Sequence, residues 1–304
     1  MPEGSLMIRI HDKDVKINGR LVRVARIDGE EYRFCSDLEA IADRLKRSKT
    51  RVDLFTFFQP LSEASVRYPY PIEWDNRAAL PLSTFDHWWT NQIDSKTRNM
   101  VRKAEKKGLT VAELEFSEQL VAGVHGLYNE CAVRQGKAFE HYGKDIETVR
   151  NHLATFLDCS FFIGAFLEGQ MIGFMKLTMN ETGSQAGIMH ILSMIRHRDK
   201  APNNLLITQA VRSCTDRNIR HLVYSRFSDG KKERDSLSDF KTNNGFVKVD
   251  TPRYFVPLTA FGKVAFRLGL HHKISERMPE SVGSKLRQLR RYWYDRKLQA
   301  MAQA

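Results

Sequence analysis

The stretch from Gln185 to Phe227 constrains the fold more than any other part of the sequence. Ala186 to Ile195 is a nearly continuous apolar run, and its length is typical of a strand that is buried on both faces. The polar segment Arg196 to Asn204 contains a proline and ends this strand. Helical spacing follows from Leu205 to Cys214, and strand composition returns from His221 to Phe227. The pattern predicts a strand-loop-helix-strand unit at the centre of an α/β fold.

The loop inside this unit is a candidate anion site. It joins the carboxyl end of a strand to the amino end of a helix, where free backbone N–H groups and the helix dipole favour negative charge. Its basic side chains include Arg198 and Lys200, and Asn203 or Asn204 is expected to cap the helix. An ordinary solvated connection has the same composition, so the loop by itself does not identify a ligand.

Three regions are predicted along the chain, which at 304 residues is long enough to bury a large core. Residues 1–80 form a small α/β unit, residues 81–260 the main domain, and residues 261–304 a basic helical extension. In the extension, residues 284–298 are expected to form an amphipathic helix. The first unit has three predicted elements: a hairpin turning at Asp28 and Gly29, a helix from about Ser36 to Lys46, and a strand from Asp53 to Gln59.

The main domain begins with a predicted helix from Ser83 to Gly108 whose exposed face is heavily basic. This face is either a solvated surface or a binding surface for an anionic partner such as RNA. Its basic residues are Lys96, Arg98, Arg102, Lys103, Lys106 and Lys107. Between this helix and the central unit, the predicted elements are strand Leu109 to Glu115, helix Ser117 to Cys131, helix Asp145 to Phe156, and strands Phe161 to Ala165 and Met171 to Met179.

Charge and cysteine content narrow the class of protein. The net charge of +12 and the isoelectric point of about 9.6 favour anionic partners: nucleotide phosphates, RNA or an acidic membrane surface. Four widely spaced cysteines without a C-x-x-C pair indicate free thiols in a reducing compartment and no metal site. No signal peptide is recognised, and no apolar run reaches the roughly 18 residues of a spanning helix. We therefore expect a cytoplasmic protein.

Four segments carry a pattern that none of them shows alone. In chain order they are Trp88 or Trp89 with Lys96-Thr-Arg98, Arg102-Lys103-Ala104 and Lys107-Gly108; Leu127-Tyr128 with Arg134-Gln-Gly136; the hairpin Phe162 to Phe174; and Phe240-Lys241 with Asn244-Gly245-Phe246. In order and spacing, these segments resemble the Fem-like (FemAB) branch of the GNAT superfamily of N-acyltransferases. The resemblance covers about residues 80 to 258.

The resemblance implies a GNAT-like mixed sheet, flanked by helices, in which the fourth and fifth strands of the domain splay apart. Acyl-CoA, such as acetyl-CoA, would lie in this cleft as the donor, with its pyrophosphate on the loop after the fourth strand. An amine of a small molecule or peptide would attack the acyl carbonyl directly, while fixed N–H groups stabilise the oxyanion. Carried over by position, the donor-binding residues are Ser193, Met194, Ile195, Arg196, Arg198, Lys200, Asn203 and Asn204.

Three side chains are candidates for proton transfer, namely Glu130, His197 and Tyr224. His190, inside an apolar strand, is expected to be a hydrogen-bonded core residue instead. The acceptor-binding candidates are Tyr128, Arg134, Lys137, Asp229 and Lys241. Structural alternatives stay open for most of them: a strand aromatic for Tyr224, a surface loop for Arg134 and Lys137, a turn for Asp229, and a helix end for Lys241.

Two departures from the family pattern leave the donor open. The loop sequence HRDKAPNN has no glycine, although glycine lets the backbone approach phosphates closely. The helix after the fifth strand offers Ser236 and Ser238 where GNAT enzymes often carry a tyrosine acid. The Fem branch typically uses aminoacyl-tRNA and tolerates a degenerate loop. The sequence thus supports three functions: an acyl-CoA N-acyltransferase, an aminoacyl-tRNA-dependent transferase, and a non-catalytic scaffold that binds RNA or, through the basic C-terminal helix, an anionic membrane surface.

Overall fold

The structure, a computed structural model, describes residues 6–11, 13–30, 37–59, 61, 66–134, 137–228 and 236–272. It is a mixed α/β fold with one large sheet flanked by helices, as the sequence predicts. Four predictions lie outside the described residues: the thiol of Cys35, residues 31–34 of the hairpin, the acceptor candidate Asp229 and the helix over residues 284–298.

Within the described residues, eleven strands form one mixed sheet and two short strands form a separate hairpin. In chain order the strands are β1 Leu6–Ile10, β2 Lys13–Asn18, β3 Val24–Ile27, β4 Leu54–Phe58, β5 Ile72–Pro81, β6 Leu109–Leu114, β7 Val133–Arg134, β8 Lys137–Ala138, β9 Ser160–Leu167, β10 Gln170–Met179, β11 Gln185–Ser193, β12 His221–Arg226 and β13 Val247–Pro257. The order across the sheet is β1-β2-β3-β4-β13-β5-β12-β11-β10-β9-β6, and β7 pairs with β8.

Helices cover both faces of the sheet. They are α1 Leu38–Lys46, α2 Phe85–His87, α3 Ser95–Lys106, α4 Glu118–Tyr128, α5 Ile146–Ala154, α6 Pro202–Asp216, α7 Ser236–Asn243 and α8 Ala260–Arg267. Alternate residues of the central strands face opposite ways, which gives each helix layer its own apolar partners. Phe162 and Phe174 belong to the core under α4 and α5, while Ile163 and Met175 belong to the core under α6.

The last strand links the N-terminal strands to the main domain. β13 pairs with β4 on one side and with β5 on the other, so one sheet runs through both predicted regions. The predicted helix ending at Lys46 and the predicted strand at β4 are confirmed. β1 and β2 were not predicted, and β3 pairs antiparallel with β2 and parallel with β4. The domain boundary at residue 80 stays a prediction.

The two central strands splay apart, as the resemblance predicts. β11 and β12 are parallel, but only Gln185 to Gly187 pair with His221 to Val223. β11 continues beside β10 as far as Ser193, and a bulge at Met189 shifts the register. The edge of β11 beyond Gly187 is therefore not paired with β12, and a cleft opens between the two strands.

Two predicted helices have different boundaries. The predicted helix from Ser83 is interrupted: Thr84 caps α2, a π-helical turn Trp88–Gln92 follows, and Asp94 caps α3. The helix expected from Leu205 begins at Pro202, which is favourable as a first helical residue because its missing N–H needs no partner. Neither Asn203 nor Asn204 caps it, since both lie inside its first turn.

Several residues of the family-like segments join helix ends through hydrogen bonds or close packing. Trp88 donates its indole N–H to the Asn244 carbonyl at 3.1 Å. Gly245 has φ +87°, and a Cβ there would lie 3.2 Å from the Gln92 carbonyl oxygen. Arg98 donates to the carbonyls of Trp89 and Ile93 at 2.9 and 2.6 Å. Arg98 therefore caps the π-helical turn rather than facing a ligand.

Candidate donor and acceptor site

A buried carboxylate occupies the backbone donors at the end of β11. Glu130 accepts from the Ile195 N–H at 2.8 Å and from the Arg196 N–H at 3.1 Å. Arg134 donates to Glu130 at 3.0 Å and to the Ser193 carbonyl at 2.8 Å. The side chains of Glu130 and Arg134 are 9% and 14% exposed. The predicted base and the predicted acceptor residue thus form one ion pair that is mostly shielded from water, and Glu130 occupies two of the N–H groups that the resemblance assigns to donor binding.

Most other N–H groups of the predicted donor loop are also bonded within the chain. Met194 donates its N–H to the Ile172 carbonyl at 2.8 Å, and its side chain belongs to the apolar core. Residues 195–200 form a short 3-10 helix. Ala201 N–H reaches the Arg198 carbonyl, Asn204 N–H reaches the Ala201 carbonyl, and Pro202 has no N–H. Most of the backbone N–H groups expected to bind the donor therefore already have acceptors within the chain.

The basic side chains of the loop face solvent. Arg196 and Arg198 are exposed, whereas His197 and Lys200 are half-buried. Burial and the charges of Lys200 and Arg196 lower the pKa of His197, so its ring is neutral at neutral pH. Lys107, the residue that follows α3, donates to Asp199 at 3.1 Å and thereby ties the loop to the end of that helix.

The asparagines of the donor loop point into the protein. Asn204 is buried and donates to the Asn244 side chain at 3.3 Å. The side-chain oxygen of Asn203 is buried and has no hydrogen-bond partner among the described residues. Asn204 therefore ties α6 to the end of α7, and its predicted role as a donor contact stays a prediction.

Tyr224 and Lys241 meet on the other side of the splay. Burial raises the pKa of Tyr224 to about 12, which keeps the phenol protonated. Lys241 is buried, donates to the Arg226 carbonyl, and lies 4.8 Å from the Tyr224 ring centre. Lys241 is therefore not a solvated helix-end residue. The remaining acceptor candidate, Lys137, is exposed on β8 and separate from this pair.

A cavity of about 320 Å³ lies beside the unpaired part of β11. Its wall is rich in imidazole and phenol groups and comes from α4, α5, β10, β11 and the segment before α5. The lining residues are Tyr128, His141, His152, Leu153, Thr155, Lys176, Met189 and His190. Met189 and His190 lie beyond Gly187, the last residue of β11 that pairs with β12. The cavity therefore opens next to the splay.

Tyr128 and His190 form a hydrogen-bonded pair in this wall. The Tyr128 hydroxyl lies 3.1 Å from His190 Nδ1, and the Tyr128 ring stacks on His141 at 4.5 Å. Burial, followed by the nearby His141 and His152, lowers the pKa of His190 to about 3. Burial raises the pKa of Tyr128. Both groups are neutral at neutral pH. His190 is hydrogen-bonded as expected, but it is half-buried in the cavity wall rather than enclosed in the core.

Lys176 closes one end of the cavity and caps α5. Its ammonium donates to the Leu153 carbonyl at 2.8 Å, to the Thr155 carbonyl, and to the Thr155 hydroxyl at 3.1 Å. A cation at the carboxyl end of a helix is stabilised by the helix dipole. Burial lowers the pKa of Lys176 to about 8. All three N–H groups are used, so Lys176 acts on the cavity through its charge.

Sequence reasoning missed four of the polar residues that line this cavity. His141, His152, Thr155 and Lys176 were not candidates, although Tyr128 was. Lys176 gave the clearest signal, because it is the one charged residue in the apolar strand β10 and an unpaired charge is costly to bury. His141 and His152 come from different segments, and nothing local in the sequence brings them together.

A second polar group lies near the end of the described chain. Glu73, His271 and His272 are, within the described residues, the one set of three or more such side chains close enough to share a metal ion. The Nε2 atoms of His271 and His272 lie 2.9 and 3.0 Å from one Glu73 oxygen. Hydrogen bonds explain this arrangement without an ion. In the described part of the chain, no helix is long and apolar enough to cross a membrane.

Comparison with solved structures finds the same fold. The structure of FemX matches with a TM-score of 0.60 and 12% identity over 87% of this chain and 90% of that chain. L-PGS from Bacillus licheniformis matches at 0.58 and 12% over 87% and 88%. The C-terminal domain of a putative lysylphosphatidylglycerol synthetase from Agrobacterium fabrum matches at 0.56 and 12% over 86% and 87%. No protein-family model and no curated protein matches the sequence. The predicted Fem-like, GNAT-type fold is confirmed, and identity this low shows the fold alone.

Proposed function

We propose that the protein is a Fem-like transferase that moves an aminoacyl group from aminoacyl-tRNA to an amine acceptor. The GNAT-type fold supports transfer chemistry, and the Fem branch typically uses this donor. The observation that carries the choice of donor is the bond from Glu130 to the N–H groups of Ile195 and Arg196. In the position that the resemblance assigns to acyl-CoA, the thioester and the pyrophosphate would need those same N–H groups.

Two anions share this position only at a high cost. Like charges about 4 Å apart repel by about 4 kcal/mol at an effective dielectric of about 20, and Glu130 is shielded from water. Displacing Glu130 would also break its ion pair with Arg134 and its hydrogen bonds to Ile195 and Arg196. Acyl-CoA binding in the expected position therefore requires a rearrangement. An aminoacyl ester on tRNA has no pyrophosphate to place there.

A basic surface next to the splay supports a tRNA partner. Lys96, Lys103 and Lys106 on α3 are exposed and form no ion pair with the described residues. The bond from Lys107 to Asp199 brings this helix against the 3-10 helix that carries the exposed Arg196 and Arg198. Dispersed lysine and arginine side chains suit the spaced phosphates of an RNA backbone.

The cavity beside β11 is the proposed acceptor site. A donor ester held in the splay would face Met189 and His190, where the acceptor nitrogen attacks the ester carbonyl. The N–C bond forms and the bond to the ribose oxygen breaks. His152 has no side-chain hydrogen bond to the described residues, and burial and Lys144 lower its pKa. The neutral imidazole takes the proton of the amine and passes it to the leaving ribose oxygen.

Equilibrium binding tests the choice of donor. Purified protein is titrated with aminoacyl-tRNA and with acetyl-CoA at low and high salt. We expect tRNA binding that weakens steeply with salt, because each phosphate contact adds about one unit to the logarithmic slope, and no acetyl-CoA binding. Stoichiometric acetyl-CoA binding with no tRNA binding would overturn the proposal. Transfer of labelled amino acid to a panel of free amines, amino lipids and peptides then identifies the acceptor.

Acyl-CoA is the second candidate donor. The observation that favours it is the splay between β11 and β12, which is the cleft that the resemblance assigns to acyl-CoA. This donor requires Glu130 to leave its present position. The titration with acetyl-CoA therefore separates the two candidates, and a variant without Glu130 shows whether that carboxylate decides between them.

A further inference from the structure

We propose that α8 and the turn before β3 form a surface that docks on an anionic lipid membrane. The surface is called here the apolar corner and consists of Leu21, Phe261, Val264 and Leu268. These side chains are 65%, 38%, 52% and 65% exposed. An exposed apolar patch with a polar rim marks an interaction surface on a soluble protein.

The apolar corner is built on a rigid base. The buried Asp53 carboxylate accepts from the Arg23 N–H at 2.9 Å, from Arg51 Nε at 3.0 Å and from the Thr259 hydroxyl at 3.0 Å. Gly262 packs so closely that a Cβ there would lie 2.0 Å from the Asp53 carbonyl oxygen. This close contact fixes which face of α8 is buried. The opposite face presents the apolar side chains to solvent.

The two elements of the corner meet at Arg51. Its guanidinium donates to the Leu21 carbonyl at 3.4 Å and lies 5.1 Å from the Phe261 ring centre. Val264 follows Phe261 by three positions and Leu268, the residue that caps the end of α8, follows it by seven, so the three side chains lie on one face of the helix. Leu21 and the α8 stripe therefore form one continuous surface.

The segments around the corner are rich in basic residues, and Glu73, which contacts His271 and His272, is an acidic neighbour. Three segments converge at Asp53: residues 19–23, 47–52 and 259–272. They contain seven lysine or arginine residues and no aspartate or glutamate: Arg20, Arg23, Arg47, Lys49, Arg51, Lys263 and Arg267. Asp53 itself is buried and bonded, so it does not offset this charge at the surface. The rim therefore favours an anionic partner.

An anionic bilayer matches both properties of the corner. Aliphatic side chains enter the boundary between headgroups and acyl chains, while lysine and arginine contact the anionic headgroups. RNA would supply phosphates but no apolar phase for Val264 and Leu268. A second copy of the chain would bring the same positive charge against itself. Residues 273–304 carry eight lysine or arginine residues and three acidic ones, so they also meet the rim with net like charge.

Vesicle co-sedimentation of the full chain tests the proposal. The vesicles contain phosphatidylcholine alone or phosphatidylcholine mixed with phosphatidylglycerol. We expect binding to the mixed vesicles only. The Val264→Ser/Leu268→Ser variant should bind at least about tenfold more weakly, because two large apolar side chains no longer leave water. The Lys263→Gln/Arg267→Gln variant should lose roughly 30-fold, with about one kcal/mol per charge near an anionic surface.

A matched variant and two further measurements complete the test. Ile146→Ser/Leu157→Ser removes apolar residues that are 44% and 40% exposed at another surface, and it should bind the mixed vesicles like the wild type. Equal binding of the wild type to both kinds of vesicle would overturn the proposal. A wild-type dimer in sedimentation analysis that Val264→Ser/Leu268→Ser dissociates would assign the corner to a second copy. A fall in thermal midpoint in that variant, without vesicle binding by the wild type, would show that the chain covers its own corner.

Discussion

The carboxylate of Glu130 lies 2.8 Å from the backbone nitrogen of Ile195, a residue 65 positions further along the chain. This bond joins the segment after α4 to the turn after β11, where the family resemblance places a donor pyrophosphate. An acidic side chain therefore satisfies N–H groups that a phosphate would otherwise bind. Because a side chain of the protein occupies these N–H groups, substitution of Glu130 should make them available to a ligand.

The Glu130→Ala variant should lose about 3–5 kcal/mol of unfolding free energy, because it leaves the partly buried Arg134 without its ion-pair partner. It also exposes the N–H groups of Ile195 and Arg196 to solutes. We therefore expect inorganic pyrophosphate to raise the thermal midpoint of the variant and not that of the wild type. Urea denaturation gives the first quantity, and thermal melts with and without pyrophosphate give the second.

Glu118→Ala is the control for this experiment. Glu118 pairs with Arg150 at the surface, and its side chain is 72% exposed. Exposed ion pairs contribute less than about 1 kcal/mol, so this variant should melt close to the wild type with or without pyrophosphate. An equal pyrophosphate response in wild type and Glu130→Ala would mean that Glu130 does not occupy the donor position.

Local apolar runs in the sequence predict the order of the central elements, whereas the splay between β11 and β12 is predicted by the family resemblance. β11 is recognised by composition, and the prolines and glycines around it mark its connections. The hydrogen bonds from the N–H groups of Ile195 and Arg196 to Glu130 were not predictable, since they depend on how the end of α4 packs against the end of β11. The cavity could be predicted in part from the sequence. Lys176 and His190 are polar residues inside apolar strands, and such residues need hydrogen-bond partners.

The family-like segments also show that a signature residue can serve the fold. Trp88, Arg98 and Asn244 match the resemblance, and each makes hydrogen bonds that join helix ends. A pattern of basic residues in sequence does not separate those that bind backbone carbonyls from those that face solvent. Burial and hydrogen bonds make that distinction, and it can be tested on α3.

Arg98→Ala should destabilise the protein, whereas substitution of the exposed lysines of α3 should not. Arg98 satisfies two carbonyls, and leaving such groups unpaired costs about 1–3 kcal/mol each. The Lys96→Gln/Lys103→Gln/Lys106→Gln variant should keep the wild-type stability and lower the salt dependence of tRNA binding by up to three units of slope. Denaturation and salt titration of both variants measure these effects. If Arg98→Ala instead weakens tRNA binding without loss of stability, and the lysine variant is destabilised, then Arg98 binds the tRNA and the lysines stabilise the fold.

Stability should fall as the pH drops below about 6.5, because His190 is neutral in the folded protein. Its folded pKa of about 3 lies below the value of about 6.5 in the unfolded chain. The unfolded state therefore binds the proton first, and the contribution present above pH 6.5 is lost as the pH falls towards 3. One histidine gives at most about 1.4 kcal/mol per pH unit. Urea denaturation of wild type and His190→Gln at pH 7 and pH 5.5 should show a smaller loss in the variant, and equal losses would contradict this assignment.

A larger side chain at Met189 should abolish aminoacyl transfer without weakening tRNA binding. Met189 lies in the wall of the cavity of about 320 Å³ and on the unpaired part of β11. Met189→Trp would fill space that the acceptor amine needs, while the basic surface on α3 stays unchanged.

The control is Met171→Trp, since Met171 lines a separate cavity of about 630 Å³ between α4, β6 and the β9–β10 hairpin. Transfer assays and tRNA titrations of both variants, with thermal midpoints to confirm folding, should show lost transfer only in Met189→Trp. If Met171→Trp loses transfer and Met189→Trp keeps it, the acceptor binds in the cavity beside α4 instead.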